Sequence, residues 1–150
     1  IPGVISGKHD VGVIIHEGQL TWNDEGGHVV LDLGKWWNQV TGLPLPLGGN
    51  VVRKDLGEHV CREIADDVRA SIQYALEYPE AALEFARQWA RGIDEPTNEE
   101  FVSMYVNERT VDYGREGREA VRLFLERGQE IGLVRGDMDM RAIQFVGHDE

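Results

Sequence analysis

Between Leu56 and Leu76 an apolar side chain returns at every fourth position, as Leu56, Val60, Ile64, Val68, Ile72 and Leu76. At about 3.6 residues per turn, that spacing lays one apolar stripe along a long helix, and such a stripe needs another surface to cover it. Asp55 followed by Glu58 resembles a capping box with an Asp cap, and predicts the helix start. Pro79 stops the helix and can occupy the first turn of the next, where Ala82, Phe85, Ala86 and Trp89 share a face. Gly92 is expected to cap that second helix. Thr97 with Glu100 makes another capping box ahead of Phe101, Met104 and Tyr105. A last helix brings Val121, Phe124, Leu125 and Gly128 together and ends at Gly132.

Before Asp55 the pattern changes. Turn sequences "HEG", "EGGH", "DLG" and "LGGN" separate short β-branched runs. These predict strands at about Val11–His16, His28–Leu31 and Leu47–Arg53, with a short helix around Leu33–Thr41. Strands and a helix followed by helices alone define an α/β fold class, with strands in the first third and mostly helices after. Three units follow: residues 1–50, a helical part over 51–133, and a tail over 134–150 that lacks a sustained period and is expected to be loosely ordered. Three strands are too few for a self-sufficient parallel sheet. The exposed sheet edge is therefore expected to be covered from outside, by a missing N-terminal lobe or a second copy of the chain. The chain begins without Met and inside apparent structure, as a fragment or processed piece would. Its first residues show no basic run leading into an apolar one, so no secretory signal is expected there.

Charge narrows the partners. Of 150 residues, 27 are Asp or Glu against 15 Lys or Arg, giving a net charge of −12. Phosphate backbones and anionic lipid surfaces would be repelled, so neither nucleic acid nor membrane is an expected partner. No stretch approaches the roughly 18 apolar residues of a membrane span. Cys61 is the single cysteine, which rules out an intrachain disulfide, and its place beside Val60 and Ile64 suits a packed thiol. His9, His28, His59 and His148 lack both an HExxH spacing and clustered acidic partners, so no metal site is expected. Neither a Walker-type phosphate loop nor a Gly-x-Ser-x-Gly elbow is present.

Two stretches can carry chemistry. "VGVIIHEGQLTW" runs a buried-looking strand into His16, Glu17 and Gly18. An imidazole there can act as general base or acid near neutral pH, or merely bond a carbonyl at a strand end. Gly18 would let the backbone turn closely past a ligand. Glu17 alternates away from His16 if the strand persists, and reads better as a solvated or loop-orienting carboxylate. In "TGLPLPLGGN", Pro44 and Pro46 stiffen an extended segment and Gly48 and Gly49 open the next turn. Its exposed amides can hold a carboxylate, or the turn can be an ordinary crossing between units. Trp36 and Trp37 point about 100° apart on a helix, so one should pack inward while the other faces out.

"GVIIHEGQLTW", "VVLDLGKWWNQVTGLPLPLGGNVVRKDL" and "MYVNERTVDYGREGREAV" together resemble the MqnD family, the 1,4-dihydroxy-6-naphthoate synthases of the futalosine route to menaquinone. The resemblance runs in order from about Ile1 to Leu133, with Trp22 at a position where the family is expected to carry Tyr. It implies a two-lobed fold of the type II periplasmic-binding-protein kind, with the active site in the cleft. It implies a cytoplasmic enzyme converting cyclic dehypoxanthinyl futalosine, a small carboxylate, to 1,4-dihydroxy-6-naphthoate without metal or organic cofactor. His16 takes the place of the family's proposed base. Gly18 and Gln19 beside it, and Gly48, Gly49 and Asn50 in the crossing segment, are the expected substrate-binding residues. Family members carry about as much sequence again, so the chain is expected to be incomplete as an enzyme. The alternatives are a non-catalytic carboxylate-binding module of similar architecture, or a truncated, self-associating remnant.

Overall fold

A computed structural model describes residues 1–15, 18–88 and 95–147, and of residues 95–98 and 101 the backbone alone. His16, Glu17, Trp89, Gly92 and His148, together with the expectations attached to them, lie outside the described residues. Eight helices follow one another along the rest: α1 (Pro2–Ile5), α2 (Gly18–Thr21), α3 (Leu33–Thr41), α4 (Glu58–Glu77), α5 (Pro79–Arg87), α6 (Glu95–Tyr105), α7 (Glu108–Val111) and α8 (Gly114–Glu130).

No strand forms among the described residues, which overturns the α/β class and with it the two-lobed, periplasmic-binding-protein-like sheet fold. The described parts of the three expected strands are non-helical, and most of their side chains face solvent: Val13 is 74% exposed, Val30 85% and Val51 96%. β-branched content reports fitness for a pleated, half-buried surface, not a strand in itself. A strand exists only when its N–H and C=O groups meet a neighbour's, and the backbone bonds of these segments do not reach one another.

The helices follow their local chemistry more closely. The Asp32 side chain accepts the Lys35 N–H at 3.0 Å to start α3, and Gly42, at φ 73°, ends it by donating to the Asn38 carbonyl at 2.7 Å. Trp37 turns inward, 6% exposed, with its ring edge-on to Phe124 at 5.5 Å, while Trp36 stays 45% exposed. Helix α4 carries most of the long stripe, but it starts two residues later than a cap at Asp55 would require. A single 3-10 turn, Lys54–Leu56, comes first, Gly57 occupies the cap position, and Asp55 spends its carboxylate on the Arg53 guanidinium. Pro79 separates α4 from α5 as expected. Helix α6 begins at Glu95, so Pro96 falls in its first turn, where a missing N–H is harmless, and Thr97 lies inside the helix instead of capping it.

Asn107 and Thr110 cap α7 reciprocally: the Asn107 side chain accepts the Arg109 N–H at 2.9 Å, and the Asn107 N–H reaches Thr110 Oγ1 at 3.2 Å. Helix α8 ends as Gly132, at φ 76°, turns the chain back and donates to the Gln129 carbonyl. Beyond it the tail lies along α8. Gln129 Nε2 donates to the carbonyls of Arg135 and Met138, and Met140 is buried. The Arg122 guanidinium sits over the Phe145 ring at 5.2 Å, and Arg69 of α4 donates to the Gly147 carbonyl at 3.0 Å.

Little of this is closed off from water. Among the described residues only Trp37, Cys61, Ala120 and Met140 form the buried apolar core, and Leu56, Val60, Ile64, Val68 and Leu76 of the stripe all remain substantially exposed. The chain exposes 11742 Å², where a folded monomer of 16.9 kDa would expose about 7,700 Å². Some 4,000 Å² of additional surface therefore stands uncovered.

Candidate functional site

Two turns hold the expected site residues, and a different tyrosine grips each. Gly18 is buried as the first residue of α2, and its carbonyl accepts the Trp22 N–H at 3.0 Å. Gln19 follows, half-buried, with Nε2 donating to the Tyr105 hydroxyl at 2.7 Å. That hydroxyl in turn donates to the Ile15 carbonyl at 3.3 Å. Tyr105 thus holds both residues that flank the His16–Gly18 sequence, and its phenol both gives and accepts a bond there.

At the second turn, Gly48 and Gly49 are exposed, and neither has a positive φ. Their value is room. The Tyr113 hydroxyl donates to the Gly48 carbonyl at 3.4 Å, and a Cβ placed on Gly49 would meet that same oxygen at 2.8 Å. A side chain at 49 cannot share the space with Tyr113 in this position. Asn50 is exposed at the end of the turn. Tyr113 is steadied from behind by Phe145 of the tail, edge-on at 6.0 Å.

Reading the sequence for function missed Tyr105 and Tyr113, although both stand in "MYVNERTVDYG". The available signal was two phenols, eight residues apart, flanking a capped turn. A tyrosine in such a place usually finds a partner for its hydroxyl.

The perturbed carboxylates belong to other segments. The Lys35 backbone N–H bonded to Asp32 holds that carboxyl below its usual 3.8, and the Arg53 side chain does the same for Asp55. Both sit at helix starts, so their shifts report local order and not catalysis. Among the described residues no group of three or more His, Cys, Asp or Glu side chains could hold a metal ion. No described helix is long and apolar enough to cross a membrane. The hollows beside the α4–α5 junction are lined by Glu77, Glu80, Glu84 and Glu99 against a single Arg87, a net negative lining, and contain none of the expected site residues. Their charge would repel a carboxylate, so the two turns are the better candidate despite being open.

Over residues 1–130 the chain matches the sequence pattern of the menaquinone biosynthesis family, and it belongs to that family. Among its relatives is a 1,4-dihydroxy-6-naphthoate synthase of Streptomyces coelicolor, 39% identical over 89% of this chain and 48% of the relative. A synthase of the same name from Thermus thermophilus is 44% identical over 84% of this chain and 47% of its own length. The crystal structure of protein AF1704 from Archaeoglobus fulgidus superposes with a TM-score of 0.82 at 38% identity, covering 89% of this chain and 50% of that one. The chain therefore spans about half the length of the relatives it matches.

Proposed function

We propose that this chain contributes to a cytoplasmic 1,4-dihydroxy-6-naphthoate synthase and acts on cyclic dehypoxanthinyl futalosine. Identity of 39% and 44% to two proteins of that name, sustained over most of the chain, carries the reading. His16 is the proposed base, removing a proton next to a carbonyl of the substrate. The backbone of Gly48, Gly49 and Asn50 steadies the substrate carboxylate or the oxyanion that develops, with Gly18 and Gln19 lining the other side.

The uncovered surface supports a second part of the reading. An excess of about 4,000 Å² on one chain, matched by a partner, would make an interface of about 8,000 Å² in total, beyond the usual obligate range, and the apolar residues Val13, Val30 and Val51 are among those exposed. The proposed occupant is a polypeptide equivalent to the half of the relatives that this chain does not span. Incubating the purified chain with the cyclic substrate, alone and with that polypeptide, and following naphthoate by mass spectrometry tests both parts. Product is expected only in the combined sample. Turnover by the chain alone would refute the need for a partner, and no turnover in either would refute the enzyme reading.

A further inference from the structure

The stretch "MYVNERTVDYG" has no part in the chemistry proposed above, yet it touches both turns of the site. Tyr105 ends α6 and holds Ile15 and Gln19, while Tyr113 precedes α8 and holds Gly48. Short-range bonds stiffen everything between them. Thr110 Oγ1 donates to the Tyr105 carbonyl at 2.6 Å while accepting the Asn107 N–H, and Asn107 Nδ2 reaches back to the Met104 carbonyl at 3.3 Å. Asp112 Oδ1 accepts the Gly114 N–H at 2.7 Å and pairs with Arg118 at 3.2 Å. Helix α7, in the middle, packs against α4.

We propose that Tyr105–Tyr113 is a brace whose two phenolic hydroxyls act as positioning groups, fixing the Gly18–Gln19 turn and the Gly48–Gly49 turn at a set separation. The proposal rests on the reading that these two turns form the site. Local chemistry explains why a stiff segment is needed. One turn is the four-residue α2 and the other an exposed non-helical segment, neither part of the buried apolar core, and a site assembled from two such separate pieces needs a fixed register for reaction. A phenol reaches across a gap with one rigid ring and little rotamer freedom to lose, which suits it to this task.

Amide hydrogen exchange on the full 150-residue chain tests the brace directly. Tyr105→Phe keeps the ring and deletes its hydroxyl bonds; it should speed exchange about tenfold at residues 18–21 and leave 47–51 and α4 unchanged. Tyr113→Phe should give the reverse pattern, and Thr110→Val should loosen both turns. Unchanged exchange in both turns, or acceleration spread evenly over α4 and α8, would overturn the proposal. In the reconstituted synthase assay, Tyr105→Phe should lower kcat about tenfold with KM nearly constant, and Tyr113→Phe should raise KM about tenfold with kcat nearly constant. A fall in kcat alone, with KM constant, for both variants would also overturn it, since a merely structural role lowers the amount of active protein and leaves KM unchanged. If the wild type gives no product, the synthase reading fails while the exchange pattern still decides the brace.

Discussion

Replacing Gly49 with Ala should destabilise the chain only while Tyr113 keeps its hydroxyl. The added Cβ would lie 2.8 Å from that oxygen, so the phenol must swing aside. The displacement costs about 0.5–1.5 kcal/mol in rotamer strain, with Phe145 standing behind the ring. The bond to the Gly48 carbonyl is lost as well; at 3.4 Å it lies at the weak end of the usual range, so it contributes about 0.5 kcal/mol. Against these stands a gain of about 0.4–1 kcal/mol, because Ala narrows the unfolded ensemble and position 49 needs no positive φ. The net loss is about 1 kcal/mol, or about 2–4 °C in Tm for a chain of this size. In a Tyr113→Phe background the nearest ring carbon is 3.9 Å from the new methyl, an ordinary contact. There the same substitution should stabilise, by about 0.4–1 kcal/mol. Urea unfolding of the wild type, both single variants and the double variant measures the coupling. An equal cost of Gly49→Ala in both backgrounds would refute the claim that Tyr113 occupies that space.

Trp37→Ala should cost about 3–5 kcal/mol in urea unfolding, since it empties the buried contact with Phe124. Trp37→Phe should cost under about 1.5 kcal/mol, because it also removes an indole N–H that is buried without a hydrogen-bond partner. Asp32 and Asp55 are held below 3.8, so each contributes stability that is fully present above that pH and is lost as pH falls through the lowered folded value. Tm measured between pH 6 and about pH 2 should therefore fall less steeply for Asp32→Asn, which caps without titrating, than for the wild type. Gly128→Ala should loosen the tail, because its Cβ would meet the Val134 methyl at 2.8 Å, and Val134→Ala should restore the wild-type proteolysis rate of residues 134–147.

The helices were legible where their signals are local. Asp32 and Gly42 bound α3 at the residues a cap and a left-handed glycine dictate, and the 100° offset between Trp36 and Trp37 foretold which kind of division they would make. Local signals also compete, and there the reading slipped. Asp55 could cap a helix or pair with Arg53, and the ion pair prevailed; Pro96 drew the start of α6 ahead of Thr97. The strands were illegible for a different reason, since Val13, Val30 and Val51 fit a sheet surface but a sheet is a property of neighbours. The proposed site was half visible. Its turns stand out as "HEGQ" and "LGGN", whereas the bonds that hold them join residues 86, 90 and 65 positions apart, a separation no local pattern encodes.

Naphthoate release by the chain combined with a polypeptide equivalent to the other half of its relatives, with His16 intact and with His16→Gln, tests the central claim most directly. The intact pair should convert the cyclic substrate, and the His16→Gln pair should bind it but lose turnover by at least about a hundredfold. Near-normal turnover by His16→Gln would remove His16 as the base, and an inactive intact pair would contradict the assignment of the chain to naphthoate synthesis.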